Sequence, residues 1–239
     1  AVLPTLSQID ARVELDRFKR TFCGGLRLVI AVIIPATVGL LVLGEPIIRL
    51  LFEHGEFTPA DTAQVSRALL YYLPGLPFAA IDLPLVFAFY AQKDTVTPVV
   101  VGIVSVLVYL AVGPLLAFAA GWGYLGLVLA NSAQLISHAL IMLVVFSRRF
   151  EGLGGYAVWS TAAKAAAASL LVAALSYGGH ALVTRLSPLT GTLNEALLVA
   201  GPAALGILGY VAGARLLRLE EIATLTALVR RRLSPAPRT

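Results

Sequence analysis

The sequence predicts an all-α protein, a polytopic membrane helical bundle of about six transmembrane helices. Three observations carry this. Hydrophobic residues make up 59% of the chain and charged residues 13%, with a mean hydropathy of +0.88, against a charged share of about a quarter in soluble domains. Between Asp94 and Arg148 more than fifty residues pass without an Asp, Glu, Lys or Arg. At about 1.5 Å per helical residue that run is too long for one crossing of a bilayer core about 30 Å thick, so it must fold back on itself. Finally, the basic residues are shared among the loops between apolar segments and form no stripe interleaved with aromatics. The net charge of +5 therefore reads as a topology signal, and no nucleic-acid partner is expected.

Six segments have the length and apolarity of spans: 22–43, 68–91, 98–118, 124–146, 162–182 and 196–216. Ahead of the first, 8–20 is charged with apolar Ile9, Val13 and Phe18, the pattern of a short helix lying on the membrane face. The second holds Pro74, Pro77 and Pro84, each of which removes a backbone donor, so this span is expected to be broken. Such helices line transport paths or serve as kinked structural elements. The third and fourth form a hairpin, turning at Gly121-Trp122-Gly123-Tyr124, where glycine permits a tight turn and the aromatic rings suit the headgroup boundary. After the sixth, 219–233 sets Ile222, Leu225, Leu228 and Val229 on one side with Glu220, Glu221 and Arg230 to Arg232 around them, an interfacial helix ahead of a frayed end.

Assigning each Lys and Arg to a side gives fifteen on one and three, Arg49, Arg67 and Arg185, on the other. The rich side is expected to be cytoplasmic, and an even number of spans returns both ends of the chain to it. The chain opens Ala-Val-Leu-Pro, without the basic, apolar and small-residue succession of a signal peptide. The expected organisation is a connection at 1–21, a four-helix part at 22–146, a cytoplasmic loop at 147–161, two further membrane helices at 162–217 and a basic amphipathic tail at 218–239. Cys23 is the only cysteine, so neither an internal disulfide nor a thiolate cluster is available.

Few residues inside the spans can carry chemistry. Asp82 lies about 13 Å from one end of its segment if the helix is regular. An intramembrane carboxylate costs several kcal/mol unless it meets water, a cation or a partner. It marks either a functional position or a structural pair with a residue such as Arg27 or Lys164. Asn131, Gln134 and His138 fall at i, i+3 and i+7 and share one helix face. That face turns toward other helices or water, where it either bonds neighbouring helices or contacts a polar headgroup. Arg27, about a turn into the first span, either snorkels or meets phosphate, whose oxygens match the guanidinium fork.

Other patterns lead nowhere. Glu53-His54-Gly55-Glu56 lacks the His-Glu-x-x-His spacing that puts two metal ligands on one helical face, and Gly152-Leu153-Gly154-Gly155 lacks the Gly-Lys-Ser/Thr of a phosphate loop. With no Gly-x-Ser-x-Gly either, neither an enzyme, a metal site nor a cofactor is expected.

Several segments in order resemble the C-terminal half of the MurJ/MviN family of lipid II flippases. They are Leu3-Pro-Thr-Leu-Ser7, Gly25-Leu-Arg-Leu28, Ile34-Pro-Ala36, Glu45-Pro-Ile-Ile-Arg-Leu-Leu-Phe52 with Gly55-Glu-Phe-Thr58, Phe89-Tyr-Ala-Gln-Lys-Asp-Thr-Val-Thr-Pro98 and Gly123-Tyr-Leu-Gly-Leu-Val-Leu-Ala-Asn-Ser132. The resemblance implies spans nine to fourteen of a fourteen-span transporter in the bacterial cytoplasmic membrane. Its implied substrate is an undecaprenyl-linked peptidoglycan precursor, and its implied partners are membrane lipids and the missing N-terminal half of the transporter. The last two spans would shape a lipid-facing groove. The family's headgroup arginines belong to the first eight spans, so none carries over. Some members hold sodium with an Asn and an Asp one turn apart in span eleven, whereas Ser105-Val-Leu-Val-Tyr109 offers no carboxylate. From the residues themselves, the candidate cavity, headgroup or ion contacts remain Arg27, Asp82, Asn131, Gln134 and His138. The rival readings are an exporter of another lipid-linked saccharide and a non-transporting membrane scaffold for cell-wall assembly.

Overall fold

The computed structural model describes residues 6–186 and 191–222. Within them the chain forms helices α1 (Leu15–Phe52), α2 (Pro59–Tyr72), α3 (Leu76–Ala91), α4 (Val96–Pro114), α5 (Tyr124–Arg149), α6 (Val158–Leu186) and α7 (Thr192–Leu216). Five helices are long and apolar enough to cross a membrane, counting α4 with its extension to Ala119, and α2 with α3, bent by 49° at their break, brings the number to six if the pair is one span. The expected all-helical polytopic bundle is therefore the fold.

Two boundaries differ from expectation. The stretch at 8–20 is not a separate surface helix, because α1 begins at Leu15 and runs unbroken to Phe52. No Gly or Pro interrupts 15–22, and burial of Phe18 and Phe22 keeps the first turns in register with the bundle. The second span also begins earlier than 68, as α2, launched by a Thr58–Asp61 capping box ahead of Pro59. The hairpin between the third and fourth spans stands where expected, with Gly121 and Gly123 at φ +73° and +57°. There α4 widens after Pro114 into a π-turn over Leu115–Ala119.

Prolines shape this bundle, and polar side chains from neighbouring helices complete it. Pro35 cannot donate to the Ala31 carbonyl, and the Tyr210 hydroxyl of α7 donates there instead. Pro202 likewise deserts Leu198, whose carbonyl meets His180 Nδ1 of α6 at 3.1 Å. Because a carbonyl only accepts, that nitrogen carries the proton. At the α2–α3 break Gly75 N–H turns to Tyr72 O, and the Tyr71 carbonyl it abandons accepts from Ser132 Oγ of α5 at 2.6 Å. With no water in hydrocarbon to take these three carbonyls, a side chain from a neighbouring helix satisfies each of them.

Two apolar clusters hold the helices. Phe18 and Phe22 of α1, Phe89 of α3, Phe146 of α5 and Phe150 pack into one aromatic knot, with Phe22 and Phe146 stacked at 4.3 Å between centroids. A second cluster joins Ala168 and Val172 of α6 to Tyr210 and Ala214 of α7, with Val38 of α1 against it. Gly206 lets α6 and α7 approach so closely that an added Cβ would lie 2.3 Å from Ser176 Oγ. The aromatic knot marks the end of the bundle to which Arg20, Arg27, Lys93 and Arg149 belong, called the basic end below.

Candidate functional site

Asp82 and His138 meet inside the membrane-spanning region, from α3 and α5. Asp82 Oδ1 lies 2.7 Å from His138 Nδ1. Their side chains keep 21% and 17% of their exposure, so neither is sealed from its surroundings. The partner of the carboxylate is therefore His138, not Arg27 or Lys164, and among the described residues it is the only side chain hydrogen-bonded or ion-paired to it. The other ring nitrogen, Nε2, turns toward α4, where a Cβ added at Gly102 would come within 3.9 Å of it. Ser105 and Ser137 nearby in sequence are spent on carbonyls of their own helices, Gly102 and Gln134. Asn131 and Gln134 share the His138 face and are half-buried, but the structure brings only His138 of the three to Asp82.

Arg27 lies apart from this pair. Its guanidinium bonds Glu221 through Nε and Glu220 at 3.2 Å through a terminal nitrogen. Glu221 retains 4% of its side-chain exposure, and the same carboxylate oxygen accepts from Thr161 Oγ1 of α6 at 3.1 Å. The expected interfacial helix at 219–233 is corrected on this point: Leu219, Glu221 and Ile222 turn inward and are buried, because Glu221 finds a cation and a hydroxyl there. The remainder of that segment, 223–233, lies outside the described residues.

Above this contact an apolar groove of about 470 Å³ opens between α1, α6 and α7, lined by Val32, Pro35, Leu40, Val172, Ile207 and Tyr210 among others. Ile222 reaches its wall, so the buried C-terminal turn closes one end. The groove surface is almost wholly hydrocarbon, suited to alkyl or isoprenyl chains.

A second recess, polar and about 650 Å³, lies at the basic end between the segment at 7–12 and the α3–α4 connection. Gln92 joins its two sides, donating to Ile9 O at 2.9 Å and accepting from Ala11 N at 3.0 Å. Asp94 accepts from Thr97 N at 3.0 Å and Thr97 Oγ1 at 2.7 Å, and Arg149 closes on it from α5. Burial pushes the Asp94 carboxyl up, but the two Thr97 bonds and the Arg149 guanidinium outweigh it and hold the group below its ordinary value.

Sequence reasoning missed Glu221, Ser132 and Tyr210 as bonding partners. A proline in a predicted span does announce a carbonyl four residues earlier in need of a donor, which is the signal that could have directed attention to Tyr210.

The family described as lipid II flippase MurJ matches residues 1–194. A probable lipid II flippase MurJ from Vibrio cholerae is 33% identical over 228 residues, 94% of this chain and 43% of the relative. The lipid II flippase MurJ of Thermosipho africanus is 36% identical over 110 residues, 46% of this chain and 23% of its own length. The solved inward closed conformation of a lipid II flippase MurJ shares the fold, with a TM-score of 0.69 at 23% identity over 93% of this chain and 43% of that one. This chain thus spans less than half the length of those relatives, and it belongs to the lipid II flippase MurJ family.

Proposed function

We propose that this chain is the C-terminal part of a transporter, not an enzyme, that moves a lipid-linked peptidoglycan precursor from the inner to the outer leaflet. A diphosphate-linked headgroup cannot cross hydrocarbon unaided, while its isoprenyl tail is at home there. The observation that carries the reading is the pairing of an apolar groove on α1, α6 and α7 with a mostly buried polar pair inside the neighbouring bundle, in a chain of this family. The tail would lie in the groove while the headgroup passes along the α3–α5 side. In this reading the first four spans, 22–146, form one wall of an alternating cavity, and 162–217 supply the tail groove. Arg27, Asp82, Asn131, Gln134 and His138 are its candidate contacts, with Arg27 available to phosphate only after release of Glu220 and Glu221. Its partners are the precursor, membrane lipids and the other half of the same transporter, in the bacterial cytoplasmic membrane with the basic end inside.

The test is a strain depleted of its own flippase, supplied with a full-length protein that carries this chain as its C-terminal part. Growth and outer-leaflet lipid II should be restored, and should fail when Val32 and Ile207 are replaced by Glu to charge the groove while the protein remains inserted. Growth without outer-leaflet lipid II would favour a scaffold. Restored transport of a different lipid-linked saccharide alone would favour another exporter.

A further inference from the structure

We propose that the Asp82–His138 pair is a proton-binding site, and that its occupancy sets whether the polar path beside α3 and α5 admits an anionic headgroup. The second clause rests on the flippase reading; the first does not.

The geometry sets the charge arithmetic. With His138 neutral, its Nδ1–H donates to the Asp82 carboxylate across 2.7 Å, and the pair carries one negative charge. A proton added at Nε2 makes an imidazolium beside a carboxylate, and the pair becomes neutral overall. Nε2 makes no hydrogen bond among the described residues and lies beside Gly102, where an added Cβ would be 3.9 Å away, so an N–H added there is not already committed to a protein acceptor. An intramembrane acid beside a histidine is the usual composition of a proton relay.

The surroundings add no competing charge. Helix α4 has no Asp, Glu, Lys, Arg or His, and Tyr109 is its only titratable residue. On α3 the other titratable residue is Tyr90, and on α5 they are Tyr124, Arg148 and Arg149, of which Arg149 is committed to Asp94. On α2, packed on α5, they are Asp61, Arg67, Tyr71 and Tyr72. On α1 they fall toward its two ends: Asp16 to Arg27 at one and Glu45 with Arg49 at the other, with Arg27 bound to Glu220 and Glu221 and Arg49 to Glu45 and Glu53. Among the described residues none of these is hydrogen-bonded or ion-paired to the Asp82 carboxylate. A metal cation is poorly served, since no three His, Cys, Asp or Glu side chains converge among the described residues and hard cations ask for several oxygen ligands.

The consequence for a diphosphate is direct. The unprotonated pair presents a net negative charge that repels it in a low-dielectric setting, and the protonated pair does not. Proton binding would precede entry of the headgroup, and proton release would accompany wetting of the site.

The experiment is a pH titration of ¹⁵N-histidine-labelled full-length protein in lipid nanodiscs, with the His138 signal identified by its loss in His138→Gln. The signal should change reversibly with pH, and Asp82→Asn should lower its apparent proton affinity at least tenfold. Absence of titration, or an unchanged midpoint in Asp82→Asn, would overturn the proton site; so would displacement of the proton by sodium ion. Should Asp82→Asn not fold, Asp82→Glu must preserve the titration. A second arm measures lipid II flipping in proteoliposomes across the same pH range. The rate should vary with pH in the native protein and become flat in the Asp82→Asn/His138→Gln double variant, which keeps an amide hydrogen bond without a proton to exchange. A flat native profile overturns the gating clause, whereas a native protein that flips nothing at any pH overturns the flippase reading and leaves the titration standing.

Discussion

Tyr210 of α7 donates its hydroxyl proton to the Ala31 carbonyl of α1, the acceptor from which Pro35 withholds the helical N–H. The bond joins residues 179 positions apart and repairs a backbone defect with a side chain from another segment. The His180 contact with Leu198, four residues before Pro202, repeats the arrangement within the α6–α7 pair. Helix bending here is a property of two helices, not one.

Tyr210→Phe should therefore leave a buried carbonyl unpaired at a cost of about 1–3 kcal/mol. Adding Pro35→Ala restores the backbone donor and should recover most of that loss. The check is a double-mutant cycle on the thermal unfolding midpoint of the purified protein. Equal losses with and without Pro35 would remove the proposed repair.

The Arg27–Glu221 contact should be strongly coupled. Arg27→Ala strands Glu221, 4% exposed, and should cost about 3 kcal/mol, whereas Glu221→Ala leaves Arg27 its Glu220 partner and should cost less. The double variant should cost much less than their sum. Limited proteolysis should then cut after α7 sooner in either single variant than in the native chain.

Asp94 gives the basic end an acid-sensitive joint. Its folded carboxyl is held below the ordinary value, so the stabilisation is present above the unfolded pKa of about 3.9 and is lost as pH falls through the lower folded value. Melting temperatures taken downward from about pH 6 should show an acid limb that is shallower in Asp94→Asn, with the variant less stable than the native protein near neutrality.

Gly126 and Gly24 should respond oppositely to alanine. A Cβ at Gly126 would sit 2.6 Å from Ala117 N and 2.7 Å from Leu116 C, backbone atoms of the π-turn that cannot swing aside. Gly24 has nothing within 4 Å. Gly126→Ala should lower the melting temperature by several degrees, while Gly24→Ala should leave it level or raise it through helix propensity.

Orientation is testable in a Cys23→Ala background, since the native cysteine is buried. A cysteine at Gln8 should label from the cytoplasm and one at Thr58 from outside. Labelling of Gln8 by an external impermeant reagent would reverse the assignment made from the Lys and Arg distribution.

The spans were legible because hydropathy is a one-dimensional signal, and so was the turn at Gly121 and Gly123, which local backbone conformation dictates. The α2–α3 break could be anticipated from Pro74. Partnerships were harder. Periodicity puts Asn131, Gln134 and His138 on one face, but which of them meets Asp82, 56 residues from His138, depends on the rotation and tilt of α5 against α3. Arg27 read as a residue seeking water or phosphate because its acidic partners lie 193 and 194 residues away, in a turn whose pattern suggested the membrane surface.

The length of α1 has a mechanical meaning. Its 38 residues extend about 57 Å, roughly twice the thickness of the hydrocarbon core. Pro35 stands near the middle, leaving an arm of about 30 Å from there to Leu15. A pivot of about 10° at the proline would sweep the tip through about 5 Å, one helical pitch. The groove wall that contains Pro35 and Tyr210 thus sits at the fulcrum of a lever whose far end bears Phe18, Phe22 and the aromatic knot.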